Sequence, residues 1–244
     1  MMVLGIETST AMGSVALVDE RGLRGERCWE TREGHAERLM GEIDCLLQKH
    51  SITIQALDGF AVTIGPGSFT GLRVSLATVK GLAMVSQHPV VPVSTLEALA
   101  RNVSSSAYPV CPLLDARREE VFAALFRQDE KGQWIRLLPD QVIAPCDLLQ
   151  QLSGPITFVG EGAVRYQALI QKGMGEKACF APADMQWPSA AVVAHLGLAR
   201  LLQGETVQAK EIRPLYLRRP DAEINLEKGR LAVGGKNKTK TERR

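Results

Sequence analysis

The most informative segment of this sequence is Gly65-Pro66-Gly67-Ser68-Phe69-Thr70-Gly71-Leu72-Arg73. It follows residues 60–64, an apolar run typical of a buried strand, and precedes an apolar run that extends to about Gln87. The glycines permit positive φ angles and close backbone approach, and Pro66 stiffens the turn. The pattern therefore predicts a strand, a glycine loop over 65–71 and a helix, with the first N–H groups of the helix facing whatever docks there.

Two roles are compatible with this glycine loop. It could cradle a phosphate at the start of the helix, or it could be a tight structural turn. A Walker A loop is excluded, because no Lys-Ser or Lys-Thr pair follows the glycines. The spacing of the Rossmann fingerprint is also absent from this segment.

The helix after the loop is apolar on nearly every side. One face carries Leu72, Leu76, Val79 and Ala83. Most of the remaining surface carries Val74, Ala77, Leu82, Met84 and Val85. A helix with such coverage is buried from two sides. We expect either a central core helix or a helix that packs one side against a partner subunit.

Outside this segment, alternating strands and helices predict two related α/β lobes with mixed sheets. Antiparallel strands, a helix and a further strand occur before the candidate linker at 104–109, and the same pattern follows it. We assign 1–106 to an N-terminal lobe, 107–204 to a C-terminal lobe, 205–220 to a segment that returns to the first lobe, and 221–244 to a tail. The tail is basic and poor in apolar residues, a composition typical of disorder.

The first predicted turn, Glu7-Thr8-Ser9-Thr10, lies between two hairpin strands. Actin-like ATPases and sugar kinases place an acid and small hydroxyl residues there, where they hold metal and nucleotide phosphates. The turn is thus a candidate phosphate site.

Composition excludes several classes of protein. The 244 residues carry a net charge of +2, so the whole molecule exerts no strong field toward nucleic acid or membrane. The longest apolar run, 74–85, falls short of the roughly 20 residues that a membrane span needs. Five widely spaced cysteines without a Cys-x-x-Cys pair indicate reduced thiols. We expect a cytoplasmic protein that does not bind membranes.

Searches for metal ligands and nucleophiles find no clear candidate. The four histidines, at 35, 50, 88 and 195, form no pair at helical spacing, and no Gly-x-Ser-x-Gly elbow occurs. We therefore assign neither a metal site nor a catalytic residue.

Three motifs resemble the TsaB family, also called YeaZ, of the bacterial tRNA threonylcarbamoyladenosine pathway. The first is Leu4-Gly5-Ile6-Glu7-Thr8-Ser9-Thr10 with Ser14-Val15-Ala16-Leu17. The second is the glycine loop and its helix through Lys80-Gly81-Leu82-Ala83. The third is Leu114-Asp115-Ala116-Arg117-Arg118 with Glu120-Val121. The ending Pro214-Leu215-Tyr216-Leu217-Arg218 is also similar, so the resemblance spans about residues 1–220.

The resemblance implies an actin-like (ASKHA, ribonuclease H-like) fold without catalytic apparatus. The family's larger paralogue, TsaD, is the transferase, and it carries a His-x-x-x-His metal pair where this chain has Thr95-Leu96-Glu97-Ala98-Leu99. The turn at Glu7, Thr8, Ser9 and Thr10 is then vestigial. The expected function is a non-catalytic subunit that binds and activates TsaD, which modifies adenosine 37 of ANN-decoding tRNAs.

The resemblance also implies the partners. They are TsaD, the ATPase TsaE in the assembled complex, a second copy of the chain in isolation, and tRNA through the complex. The expected interface residues are Leu39, Met40, Ile43 and Leu47 on the first helix, with Arg73, Val74, Ala77 and Lys80 on the second. No tightly bound cofactor is expected, and ATP or ADP at the interface with TsaD is left open.

Two other functions stay open at this point. The first is a stand-alone actin-fold ATPase or small-molecule kinase that uses Glu7 and the hydroxyls after it. The second, a metallopeptidase, is weaker because the histidine pair is absent. Glu7 also departs from the pattern of many relatives of this fold, which have Asp there, and the longer side chain would shift any phosphate–metal geometry.

Overall fold

Five strands form the first sheet, in the order β3-β2-β1-β4-β5. The computed structural model describes residues 1–31, 34–103 and 106–218. The strands are β1 (Met2–Glu7), β2 (Met12–Asp19), β3 (Gly22–Glu30), β4 (Gly59–Gly65) and β5 (Val90–Ser94). The first three are antiparallel neighbours, whereas β4 runs parallel to both β1 and β5.

Three helices cover this sheet. They are α1 (Ala36–Lys49), α2 (Phe69–Ser86) and α7 (Ala190–Leu202). Because side chains alternate along a strand, Leu4 and Ile6 of β1 enter the core with α1 and α2, whereas Val3 enters the core with α7. The sheet is thus buried on both faces, which explains the nearly continuous apolar sequences of β1, β2 and β4.

The second sheet repeats the topology of the first, in the order β8-β7-β6-β9-β10. Its strands are β6 (Val110–Asp115), β7 (Val121–Gln128), β8 (Trp134–Ile143), β9 (Ile156–Val159) and β10 (Ala178–Phe180). One face packs on α3 (Thr95–Arg101). The other face packs on α4 (Pro145–Gln151), α5 (Glu161–Arg165) and α6 (Gln167–Met174). The repeated topology confirms two related α/β lobes.

Ion pairs and the C-terminal segment join the lobes. Glu97 of α3 forms a bidentate pair with Arg200 of α7, with both N–O distances 2.8 Å. Ser94, at the end of β5, donates to Asp140 of β8 at 2.7 Å. Residues 212–218, here called the strap, begin in the first core at Ile212 and reach the second core at Leu217.

One predicted lobe boundary differs from the structure. Helix α7 packs on the first sheet, although residues 107–204 were assigned to the second lobe. The strap contacts the first lobe, since Leu215 N–H donates to Ile64 O at 2.7 Å. Residues 104 and 105 of the predicted linker and the tail at 221–244 lie outside the described residues.

A search of the described ranges for membrane spans finds no helix that is both long and apolar enough to cross a bilayer.

Candidate functional site

The turn Glu7-Thr8-Ser9-Thr10 is buried and holds the glycine loop. Its four residues are at most 6% exposed. Ser9 donates to the Glu7 carboxylate from both its backbone N–H and its hydroxyl, which closes the turn on itself. The Thr8 hydroxyl donates to Gly71 O at 2.9 Å, and Ser68 N–H donates to Ser9 O at 2.7 Å. The predicted phosphate turn and the glycine loop are therefore in direct contact with each other.

Glu7 is fully buried at the end of β1. Burial raises the pKa of its carboxyl to about 7, and the hydrogen bonds from Ser9 lower it only in part. Within the described residues, Oε2 has no hydrogen-bond partner, and neither does the buried hydroxyl of Thr63. Such a carboxyl is easily protonated near neutral pH, which weakens it as a ligand for a metal–phosphate group.

The glycine loop is shorter than predicted, because α2 begins at Phe69 and Ser68 is its N-cap. Gly67 cannot carry a side chain, since a Cβ atom there would lie 2.5 Å from Ser9 O. A Cβ atom on Gly71 would overlap Thr8 O, and one on Gly65 would overlap Leu215 O. The glycines thus make room for the protein's own backbone, as a structural turn requires.

His35 connects the same turn to the start of α1. Its Nε2 lies 2.7 Å from Thr10 O, so the neutral ring carries its proton on Nε2, since a carbonyl can only accept. Burial lowers the pKa of His35, which favours this neutral form. The ring also packs edge-on against Trp29, with centroids 6.0 Å apart. The 7–10 turn therefore contacts the N-terminal ends of both α1 and α2.

The structure contradicts part of the predicted interface. Leu39, Ile43 and Leu47 lie in the core of the first lobe, where they pack against α2 and the sheet. They cannot contact a partner in this conformation, because the apolar stripe of an amphipathic helix is its core face. Met40, at the edge of this stripe, is 49% exposed.

The second helix keeps more of the predicted interface at the surface. Arg73 and Ala77 are exposed, whereas Val74 and Lys80 are half-buried. Met84 and Val85, which were not predicted as interface residues, are 64% and 80% exposed. We call the exposed apolar and small residues of the two helices the outer face; they are Met40, Gly41, Cys45, Ala77, Gly81, Met84 and Val85.

A cleft of about 640 Å³ separates the lobes on the side of the glycine loop. Its walls include Thr10, Gly67, Arg117, Glu161 and Arg218. Burial and the nearby Asp115 raise the pKa of Glu161. Two acids of the segment 115–120 form ion pairs: Asp115 with Arg165 at 2.7 Å, and Glu120 with Arg218 of the strap.

Comparison with known proteins identifies the family. The family model described as "TsaD: tRNA N6-adenosine threonylcarbamoyltransferase" matches residues 29–226. The tRNA threonylcarbamoyladenosine biosynthesis protein TsaB of Haemophilus influenzae is 32% identical over 229 residues, covering 88% of this chain and 93% of the relative. TsaB of Bacillus subtilis is 30% identical over 226 residues, with 91% and 96% covered. The chain belongs to the TsaB family.

A solved structure agrees with the TsaB assignment. That of YeaZ from Pseudomonas aeruginosa matches with a TM-score of 0.75 and 28% identity, covering 88% of this chain and 99% of that one. The TsaB family acts in tRNA threonylcarbamoyladenosine biosynthesis, and the predicted family and actin-like fold class are both confirmed.

In this TsaB chain, two positions matter for comparison with TsaD. Thr95 and Leu99 occupy the places where the resemblance to TsaD implies metal-binding histidines, and both side chains are fully buried in α3. Glu97 between them is paired with Arg101 and Arg200. Among residues 1–31, 34–103 and 106–218, no group of three or more His, Cys, Asp or Glu could hold a metal ion.

Proposed function

We propose that this chain is a non-catalytic subunit of the tRNA threonylcarbamoyltransferase complex. It binds TsaD through the outer face of α1 and α2 and activates that enzyme toward adenosine 37 of ANN-decoding tRNAs. TsaE joins the assembled complex, tRNA contacts the chain through the complex, and a second copy occupies the outer face in isolation. The complex acts in the cytoplasm.

The observation that carries this proposal is the exposure of apolar residues on the outer face. Helix α2 already buries Leu72, Leu76 and Val79 in the first lobe. It nevertheless exposes Met84 and Val85, and α1 exposes Met40 beside it. Burying apolar surface contributes roughly 25 cal/mol per Å², so a partner that covers these side chains gains binding free energy.

The small residues of the outer face favour a helical partner. A Cβ atom added to Gly41 or Gly81 would meet no atom within 4 Å. Ala77 is also exposed and small, so α1 and α2 each carry exposed positions with little or no side chain, in addition to Met40 and Met84. Ridges on the helices of a partner can enter such grooves, as in helix-bundle packing. TsaD, as a paralogue of this chain, would present equivalent helices.

The non-catalytic role rests on the residues at the TsaD metal positions. Neither Thr95 nor Leu99 is an imidazole, carboxylate or thiolate ligand, and both side chains are enclosed. The alternative role of a stand-alone ATPase would place phosphates in the cleft, which Ser9, Thr10 and the glycine loop line. The raised pKa of the Glu7 carboxyl disfavours that role, because protonation weakens it as a ligand for a metal–phosphate group. We also propose that ATP or ADP can bind at the interface with TsaD.

Size-exclusion chromatography and calorimetry with purified TsaD test the proposal, with and without ATP. We expect the unaltered chain to co-elute with TsaD. Ala77→Arg and Val85→Arg place a charge on the outer face, and each should weaken binding by more than tenfold, because a buried unpaired charge is costly. Val164→Arg is the matched control, since Val164 is 56% exposed but lies on α5 of the second lobe.

Three results would contradict the proposal. They are the absence of co-elution under all conditions, equal affinity of Val85→Arg and the unaltered chain, and ATP turnover by the isolated chain that Glu7→Gln abolishes. The last would favour the ATPase role.

A further inference from the structure

We propose that the turn Glu7-Thr8-Ser9-Thr10 positions the outer face by holding the first turns of α1 and α2 in a fixed arrangement. This inference rests on the proposed function of the outer face. It assigns a present role to a turn that the sequence suggests is vestigial. Thr8, Ser9, Thr10 and His35 are positioning residues in this proposal, and none of them is exposed on the outer face.

The first step concerns α2. Two consecutive residues of the turn form hydrogen bonds with the start of α2. The Thr8 hydroxyl donates to Gly71 O, and the Ser9 carbonyl accepts from Ser68 N–H. The Thr8 and Ser9 side chains are almost completely buried, so water does not compete for these bonds. Gly71 fits against Thr8 O only because it lacks a side chain. The helix therefore starts at one defined place and in one rotation about its axis.

The second step concerns α1. His35 precedes this helix, is 5% exposed and donates to Thr10 O. Leu39 N–H in turn bonds His35 O at 3.0 Å, so the ring contact is transmitted to the first helical turn. Because Ser9 and Thr10 are adjacent in the chain, the starts of α1 and α2 are tied to neighbouring peptide groups.

The third step connects these ties to the outer face. Helices α1 and α2 share one core, in which Ile43 and Leu46 pack with Leu76 and Val79. Apolar packing alone allows a helix to slide slightly along its axis or to rotate slightly about it. Hydrogen bonds are directional, so those at the starts of α1 and α2 restrict both movements. The positions of Met40, Ala77 and Met84 relative to one another thus depend on the turn. A preorganised surface binds more tightly, since less freedom is lost on association.

Thr8→Val tests the inference, because valine keeps the shape of threonine and removes the hydroxyl that bonds Gly71 O. We expect its dissociation constant for TsaD to rise about tenfold, because the variant loses one buried hydrogen bond that fixes the start of α2. Thr8→Ser restores the hydroxyl and should return affinity to within about twofold of the unaltered chain. His35→Phe removes the tie to α1 and should weaken binding independently.

Two controls separate positioning from a general loss of stability. Ile170→Val leaves the turn intact but trims the core of the second lobe, so it should lower the melting temperature without changing affinity for TsaD. Thr53→Val makes the same chemical change at an exposed position and should alter neither quantity. Hydrogen exchange of the full chain reports the local effect: amides at 68–76 should exchange faster in Thr8→Val, and amides at 36–42 faster in His35→Phe.

The outcomes distinguish this inference from the proposed function. If the unaltered chain binds TsaD, Val85→Arg does not, and Thr8→Val binds as tightly as the unaltered chain, the positioning role is wrong and the docking role stands. Unchanged exchange at 68–76 in Thr8→Val would also overturn it. If the unaltered chain fails to bind TsaD, both proposals fail together.

Discussion

Replacing Glu7 by Gln should change how the stability of the protein depends on pH. The pKa of Glu7 is about 7 in the folded protein, against 4.5 for an unperturbed glutamate, so the folded protein binds a proton more tightly than the unfolded chain does. The contribution of Glu7 to the free energy of unfolding is therefore fully present below pH 4.5, and it is lost as the pH rises through about 7. The free energy of unfolding of Glu7→Gln, taken relative to that of the unaltered chain, should increase by about 2 to 3 kcal/mol as the pH rises from 5 to 8.5.

Urea unfolding at a series of pH values measures this difference directly. The buried His35 gives a trend of opposite sign, because its lowered pKa makes protonation destabilising as the pH falls. That trend is common to both proteins and cancels in the comparison. Parallel stability curves for the two proteins would show that Glu7 is ionised at little cost.

At the scale of single elements, two glycines of α2 should respond to alanine in opposite ways. Gly81 is exposed, and a Cβ atom there meets open space, so Gly81→Ala should stabilise the chain by about 0.5 to 1 kcal/mol through helix propensity. At Gly71 the new Cβ would overlap Thr8 O, a backbone atom that cannot move aside cheaply. We expect Gly71→Ala to destabilise by about 2 kcal/mol or more.

Thermal unfolding of the two variants at one low protein concentration provides the measurement. Each variant is the control of the other, because both make the same substitution in the same helix. Equal effects at the two sites would mean that Gly71 is a residue of ordinary helix propensity and that the turn does not approach it closely.

The two helices also show what the sequence could and could not predict. For α1, the stripe of Leu39, Ile43 and Leu47 belongs to the core, so it could not also supply a partner surface, because an amphipathic helix has only one apolar face. For α2, the sequence predicted burial on two sides, whereas the structure buries one side and exposes apolar residues on the other. Met84 and Val85 lie on the other side of the helix from Val79 and are exposed, but the sequence could not show which side faces the core.

Local patterns were similarly informative about strands and poor about long-range contacts. Runs such as that of β4 predicted buried strands, and the glycine loop was placed at the right junction. The three residues of β10 are too few for a periodic signal, and they form a strand only because β9 lies beside them. The bond from Thr8 to Gly71 spans 63 positions in the chain, so no local rule could find it.

At the scale of the whole molecule, the strap should make the two lobes unfold together. Leu215 N–H bonds Ile64 O of the first lobe. Leu217 packs on the core of the second lobe, and Arg218 contacts Ala116 O and pairs with Glu120 there. Leu215 and Leu217 are two residues apart and contact different lobes. Unfolding of either lobe therefore disturbs the contacts that the strap makes with the other lobe.

Leu217→Ala combined with Arg218→Ala removes the anchor in the second lobe and keeps the one in the first. We expect the melting temperature to fall by about 2 to 6 °C. Differential scanning calorimetry should then give a calorimetric enthalpy larger than the van't Hoff enthalpy, the sign of unfolding in more than one step. Tyr108→Ala with Arg127→Ala alters two exposed residues of the same lobe and should keep the two enthalpies equal. A single cooperative transition in the strap variant would assign the coupling to the contacts between α3 and α7, where Glu97 and Arg200 are paired.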